Sequence, residues 1–141
     1  MAVQLKFTVQ GGDFTNAGFA SSQVKKILKQ LNIENRIIKR VAISLYEAEV
    51  NIVAHAWNGK VTVDIEEERI RLFLSDRGPG IPDIELAMQE GYSTASPVVR
   101  EMGFGAGMGL SNIKKNSDKL TITSEVNQGT EVEIIHYLYA Q

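Results

Sequence analysis

The sequence contains no cysteine, no long apolar run and no excess of basic residues. The absence of cysteine excludes disulfides and cysteine-based zinc sites. No apolar run approaches membrane-spanning length and the first residues lack a signal-peptide pattern, so we expect no membrane association and a cytoplasmic location. The 15 basic residues are fewer than the 17 acidic ones and are not interleaved with aromatic side chains, so no nucleic-acid partner is expected. A protein or small-molecule partner fits better.

The 141 residues fit one domain, residues 1–141, with a core of its own. Alternating apolar and polar residues predict a strand at 3–9, a hairpin of 61–65 with 70–74, and a final hairpin of 120–124 with 131–138. Helical spacing of apolar residues predicts helices at 20–31, 34–56 and 110–116. Because the strands are joined as hairpins, we predict an α+β protein. It is a two-layer α/β sandwich with helices on one face of a mostly antiparallel, mixed sheet.

Two glycine clusters flank the polar segment 81–102. The first begins with Asp76, directly after an apolar strand, and continues with Gly78 and Gly80. The second precedes a predicted helix and consists of Gly103, Gly105, Gly107 and Gly109. Glycine lets the backbone approach a ligand, unshielded N–H groups ahead of a helix can bind phosphates, and a carboxylate can accept a hydrogen bond from a base amino group. The clusters therefore predict a nucleotide site, with residues 81–102 as a movable cover.

Neither cluster fits the two commonest nucleotide-binding loops. A dinucleotide fingerprint requires Gly-x-Gly-x-x-Gly, and a P-loop requires Gly-x-x-x-x-Gly-Lys-Ser/Thr. Here the second cluster reads Gly-x-Gly-x-Gly-x-Gly and is followed by Leu110 and Ser111. The phosphates must therefore be held in another way.

Glu47 and Asn51 are four residues apart on the second predicted helix, at the edge of its apolar face. The amide oxygen of Asn51 could bind a hard cation such as Mg²⁺, and Glu47 could orient or deprotonate a nucleophile. Such pairs are also common on solvated helix faces, so their spacing alone does not distinguish a site from a helix surface.

Taken together and in this order, the motifs resemble those of the GHKL ATPases, the superfamily of gyrase, heat-shock chaperone, histidine-kinase and mismatch-repair nucleotide domains. That family has a Glu-x-x-x-Asn box, an Asp-x-Gly-x-Gly box, a lid, a second glycine-rich box and a late Gly-Thr. The corresponding positions are Glu47 to Asn51, Asp76 to Gly80, residues 81–102, Gly103 to Gly109, and Gly129 with Thr130. The resemblance covers nearly the whole chain and implies the Bergerat fold of this family.

Within the superfamily, the chain resembles the anti-sigma-factor serine/threonine kinases in its compact size. The resemblance is strongest to their switch-kinase members. The residues that carry this closer resemblance are Gly80 to Asp83, Glu90 to Thr94 and Gly103 to Gly107. The chain departs from the pattern in a longer stretch between Thr94 and Gly103. We expect that stretch to affect lid closure and partner choice.

The resemblance also implies roles for individual residues. Glu47 would be the general base for an incoming hydroxyl, and Asn51 would be the Mg²⁺ ligand. Asp76 would bind the adenine amino group of ATP or ADP with support from Thr130. The glycine N–H groups would hold the phosphates. The motif fixes no basic residue on the γ-phosphate, for which Arg100 and Lys114 are candidates.

Three interpretations are compatible with these motifs. The first is a Mg²⁺-ATP-dependent serine/threonine kinase of the anti-sigma regulatory type, which phosphorylates a small STAS-domain partner; a homodimer is a further expectation. The second is a non-catalytic clamp that holds a sigma-factor-like regulatory protein and responds to ATP or ADP. The third is an unrelated α/β fold with incidental glycines. Catalysis needs Glu47 and a clamp does not, so the presence of Glu47 favours the kinase.

Overall fold

A computed structural model describes residues 2–89 and 109–139. The strands in these ranges are β1 (Val3–Gln10), β2 (Asn58–Ile65), β3 (Arg69–Arg77), β4 (Lys119–Glu125) and β5 (Gly129–Tyr137). The helices are α1 (Phe19–Gln30), α2 (Asn35–His55), α3 (Ile84–Ala87) and α4 (Gly109–Lys115), and a short 3-10 helix spans Phe14–Asn16.

The described strands form one sheet in the order β1-β2-β3-β5-β4. All four pairings between neighbours are antiparallel. The predicted α+β class and largely antiparallel sheet are therefore confirmed. The parallel pairing that a mixed sheet would include does not occur among the described strands.

The core lies between one face of this sheet and the long helix α2. Alternate sheet residues such as Val61, Leu72 and Ile134 are fully buried, and they form one apolar cluster with Val41 and Leu45 of α2. Successive strand residues point to opposite faces, so the residues between them lie on the other, more exposed face. The two layers predicted from the sequence follow from this alternation.

No helix of the described residues combines the length and the apolar character that a membrane span requires.

A buried carboxylate on α2 caps the start of α1. Gly18 precedes α1 in a left-handed conformation and has no side chain to cap the helix. Instead, Oε2 of Glu49 accepts hydrogen bonds from the N–H groups of Gly18 and Ala20, and Oε1 accepts one from Ser21, each at 3.1 Å. Burial raises the pKa of Glu49, and these N–H donors partly offset that rise. The two helices are thereby joined by a polar contact inside the core.

The start of the predicted cover contains a short helix, α3, that was not predicted from the sequence. The side chain of Asp83 accepts a hydrogen bond of 3.1 Å from the N–H of Leu86 and so caps α3. Too few apolar residues follow at helical spacing for periodicity to reveal a helix of this length. Residues 90–102, the remainder of the predicted cover, lie outside the described residues.

Candidate nucleotide site

The first half of the site is formed where α4 begins beside α2. A Cβ placed on Gly109 would lie 3.1 Å from Oδ1 of Asn51 and 3.4 Å from Oε2 of Glu47. The backbone of Gly109 therefore lies directly against both side chains, and a larger residue there would crowd them. Glu47 and Asn51 are themselves stacked one turn apart on α2 and are partly buried. The structure thus brings the Glu-x-x-x-Asn motif to the last glycine of the second cluster.

Asn112 also belongs to this half of the site, although it is part of none of the sequence motifs. Its Nδ2 lies 3.5 Å from Oε1 of Glu47, at the long limit of a hydrogen bond. Gly109 and Asn112 are three residues apart on α4 and so share one helix face. This spacing was the available signal that Asn112 would face α2 together with Gly109.

The second half of the site lies at the end of β3. The backbone N–H of Thr130, on the neighbouring strand β5, donates a hydrogen bond of 3.1 Å to Oδ1 of Asp76. Burial raises the pKa of Asp76, and the hydrogen bond from Thr130 opposes this rise. Oδ2 of Asp76 has no hydrogen-bond partner among the described residues. This oxygen can accept a hydrogen bond from a ligand.

Glycine is required at three points around Asp76 because backbones pass very close together. A Cβ on Gly129 would overlap the carbonyl oxygen of Asp76, and a Cβ on Gly78 would lie 2.9 Å from Cα of Ala56 at the end of α2. Gly80 adopts a φ of 76°, and a Cβ there would overlap the carbonyl oxygen of Glu125. In the structure Gly78 and Gly80 therefore pack the exit of β3 against its neighbours. Their proposed contact with the nucleotide stays a prediction.

The hydroxyl of Ser124 contacts both Thr130 and Ile81, the residue that follows Gly80. Ser124 Oγ lies 2.8 Å from Oγ1 of Thr130 and accepts a hydrogen bond of 2.8 Å from the N–H of Ile81. Ser124 belongs to none of the sequence motifs. Its position on β4 in phase with Leu120 and Ile122, which pack toward the core, was the signal that its side chain would point inward.

Of the remaining candidates, Lys114 alone is among the described residues. Gly103, Gly105, Gly107 and Arg100 lie outside the described residues. Lys114 lines a separate cavity of about 360 Å³ between α3, the end of α4 and β4. It is two residues, or about 200° of helical rotation, from Asn112, and so it projects away from the side of α4 that meets Glu47.

No set of three or more histidine, aspartate or glutamate side chains within residues 2–89 and 109–139 is arranged to hold a metal ion. Mg²⁺ commonly binds to one or two protein ligands and takes its other ligands from phosphates and water. A single amide oxygen from Asn51 fits a site of this kind, in which phosphates of the nucleotide and water complete the coordination of Mg²⁺.

The chain belongs to the family of histidine kinase-, DNA gyrase B- and HSP90-like ATPases, whose family model matches residues 37–139. The predicted GHKL membership is therefore confirmed, and membership of this family implies ATP binding. The matched range contains Glu47, Asn51, Asp76 and Thr130.

Among individual proteins, the chain is similar to the serine/threonine-protein kinase RsbT of Bacillus subtilis, with 28% identity over 81% of this chain and 83% of that protein. It is also similar to the anti-sigma F factor of Geobacillus stearothermophilus, with 31% identity over 83% of this chain and 81% of that protein. The anti-sigma F factor of Pasteuria penetrans is 31% identical over 89% of this chain and 85% of that protein. These names confirm the resemblance to the anti-sigma-factor branch and point to regulatory proteins as partners.

A solved structure supports the fold. The crystal structure of the RsbU and RsbW domains of a Mycobacterium tuberculosis protein matches 95% of this chain with a TM-score of 0.58 and 14% identity. This chain spans about a third of that one, since the match covers 32% of it.

Proposed function

We propose that this protein is a Mg²⁺-ATP-dependent serine/threonine kinase of the anti-sigma regulatory type that acts on a small STAS-domain partner. The observation that carries the proposal is the meeting of Glu47, Asn51 and Gly109 at one point. A candidate base, a candidate metal ligand and the glycine-rich backbone must converge for phosphoryl transfer, because positioning and charge stabilisation provide most of its catalysis.

Each side chain has a chemical task in this proposal. Bound Mg²⁺-ATP supplies the phosphoryl group. Glu47 accepts the proton of the partner's serine or threonine hydroxyl, and Asn112 helps to orient the Glu47 carboxylate. Asn51 provides an amide oxygen to the metal, and Oδ2 of Asp76 accepts a hydrogen bond from the adenine amino group.

A second candidate is a nucleotide-gated clamp that binds a sigma-factor-like regulatory protein without transferring phosphate. It is favoured by the relatives named anti-sigma F factor. The clamp shares the nucleotide site with the kinase but has no use for a general base. Glu47, beside Asn51 and Gly109, therefore favours the kinase.

Homodimer formation and a cytoplasmic location stay predictions within this proposal. β1 is an edge strand of the described sheet, and Phe19, beside it on α1, is 57% exposed. The rings of Phe7 and Phe19 form an edge-to-face pair with centroids 6.3 Å apart. A second copy that covered this edge would bury both rings. Sedimentation equilibrium should give twice the chain mass for the wild-type protein and a shift toward the monomer for Phe19→Ser.

The test of the proposed function uses the folded protein, ATP labelled at the γ-phosphate and STAS-domain proteins encoded next to its gene. We expect titration calorimetry to show binding of ATP with Mg²⁺, and we expect label to appear on one STAS protein. Binding without transfer to any such protein would favour the clamp. The absence of binding at millimolar ATP would contradict both candidates.

A further inference from the structure

The hydroxyl of Ser124 has three polar neighbours within hydrogen-bond distance. These are the N–H of Ile81 at 2.8 Å, Oγ1 of Thr130 at 2.8 Å and the carbonyl oxygen of Gly129 at 3.0 Å. Ile81 is the first residue after the Asp-x-Gly-x-Gly motif, and Thr130 holds Asp76 through its own N–H. Ser124 is therefore the side chain that links the candidate adenine pocket to the segment that follows Gly80.

The hydrogen on the Ser124 hydroxyl can take two positions. A hydroxyl has one hydrogen and two acceptor lone pairs, and the N–H of Ile81 uses one lone pair. If Ser124 donates to the Gly129 carbonyl, the hydroxyl of Thr130 must donate to Ser124 and can only accept from a ligand. If Ser124 donates to Thr130, the hydrogen of Thr130 is free for a ligand. The orientation of the Ser124 hydroxyl thus sets what Thr130 offers to the pocket.

Two backbone hydrogen bonds beside the Ser124 contact hold the same two segments together. The N–H of Asn127 donates to the carbonyl of Pro79 at 2.8 Å, and the N–H of Gly78 donates to the carbonyl of Gln128 at 3.2 Å. These bonds fix the distance between the loop after β3 and the turn between β4 and β5. Within this frame, the bond from Ile81 ends on a hydroxyl that also contacts Thr130, so it can respond to a change at Thr130.

We propose that Ser124 is a positioning residue that couples the occupancy of the pocket at Asp76 and Thr130 to the segment Ile81–Gln89. This inference rests on the proposed nucleotide site. A ligand that engages the hydroxyl of Thr130 changes the hydrogen bonding of Ser124, and that change alters the strength with which Ser124 holds the N–H of Ile81. The segment that responds contains α3, whose first residue is Ile84.

The first measurement is amide hydrogen exchange at Ile81 by NMR without nucleotide. Ser124→Ala removes the acceptor, and we expect exchange at Ile81 to become about threefold to tenfold faster, as is typical for the loss of one hydrogen bond. Ser124→Thr keeps the hydroxyl and should restore slow exchange. Thr121→Ala, at an exposed position on the same strand, is the matched control and should change nothing. Unchanged exchange at Ile81 in Ser124→Ala would overturn the proposal.

The second measurement adds Mg²⁺-ADP at saturating concentration. In the wild type we expect the exchange rate at Ile81 to change, while the amide of Asn127, which is bonded to the backbone, keeps its rate. Ser124→Ala should still bind ADP but lose the response at Ile81, and Thr130→Val should lose it as well. A full response in Ser124→Ala would overturn the coupling. If calorimetry shows that the wild type binds no ADP, the proposed function and the coupling both fail, whereas the exchange rates without nucleotide still decide the bond between Ser124 and Ile81.

Discussion

Asp76 and Thr130 are joined between neighbouring strands by a hydrogen bond of 3.1 Å, in which the backbone N–H of Thr130 donates to Oδ1 of Asp76. This bond fixes the carboxylate and leaves Oδ2 without a partner among the described residues. Because the donor is a backbone group, substitution of the Thr130 side chain leaves the bond in place. The hydroxyl of Thr130 is then available for its contact with Ser124.

We expect Asp76→Asn to weaken ATP binding by about 1–3 kcal/mol. The asparagine oxygen can still accept the N–H of Thr130, but its NH₂ group then faces the amino group of adenine, and two donors oppose each other. Guanine has a carbonyl oxygen at this position, so the preference for ATP over GTP should also decrease. Calorimetric titration with both nucleotides measures this. Asp64→Asn, on β2, is the matched control, and an unchanged ATP affinity in Asp76→Asn would remove Asp76 from the adenine pocket.

Glu49→Ala should destabilise the fold by about 2–4 kcal/mol, because it leaves buried N–H groups at the start of α1 without an acceptor. The free energy of unfolding from urea titration measures the effect. Glu131→Ala changes an exposed glutamate and should stay within about 0.5 kcal/mol of the wild type. Equal stability of the two variants would show that Glu49 does not cap α1.

His136 should make the fold sensitive to acid. It is buried with 1% exposure, its Nε2 lies 2.8 Å from Oγ of Ser44, and its Nδ1 has no hydrogen-bond partner within residues 2–89 and 109–139. Burial lowers the pKa of His136 to about 4; Arg40 adds to this shift and Asp118 opposes it. An unfolded histidine titrates near pH 6.5. Between about pH 6.5 and pH 4 the unfolded chain therefore binds a proton that the folded chain does not. The free energy of unfolding therefore decreases as the pH is lowered through this range.

The measurement for His136 is the change in unfolding free energy between pH 7 and pH 5. His136→Gln removes the titrating group and keeps an amide that can reach Ser44, so this change should be smaller than in the wild type by about 1–2 kcal/mol. Burial raises the pKa values of Glu49 and Asp76, and these groups contribute to the change in unfolding free energy with the opposite sign to His136. The variant is therefore compared with the wild type over the same pH interval, so that these contributions cancel. An identical change in both proteins would contradict the burial of a neutral His136.

Much of the fold could be predicted from the sequence because its patterns are local. The alternation in β1, β2 and β3 and the helical spacing in α2 set which side chains point inward, and the observed bounds of these elements lie within a few residues of the predicted ones. The turn at Asn127 is also local, since its φ of 65° is one that asparagine adopts more readily than most residues. α3 was missed because it contains about one turn and depends on the cap from Asp83.

The candidate site could be predicted only as far as its motifs extend. The motifs gave Glu47, Asn51 and Asp76, whereas Ser124 and Asn112 act through contacts with residues far away in the sequence, which no local pattern specifies. Glu49 illustrates the same limit. Its role depends on the N–H groups of α1, which lie about thirty residues earlier.

The most direct test of the kinase is phosphoryl transfer by Glu47→Gln. Glutamine keeps the shape of Glu47 and can still accept the contact from Asn112, but it cannot accept a proton from the partner's hydroxyl. We expect ATP affinity close to that of the wild type and a decrease in transfer to the STAS-domain partner of about 10²–10⁴-fold. Glu131→Gln is the matched control and should transfer normally. Transfer by Glu47→Gln at the wild-type rate would contradict the role of Glu47 as the general base.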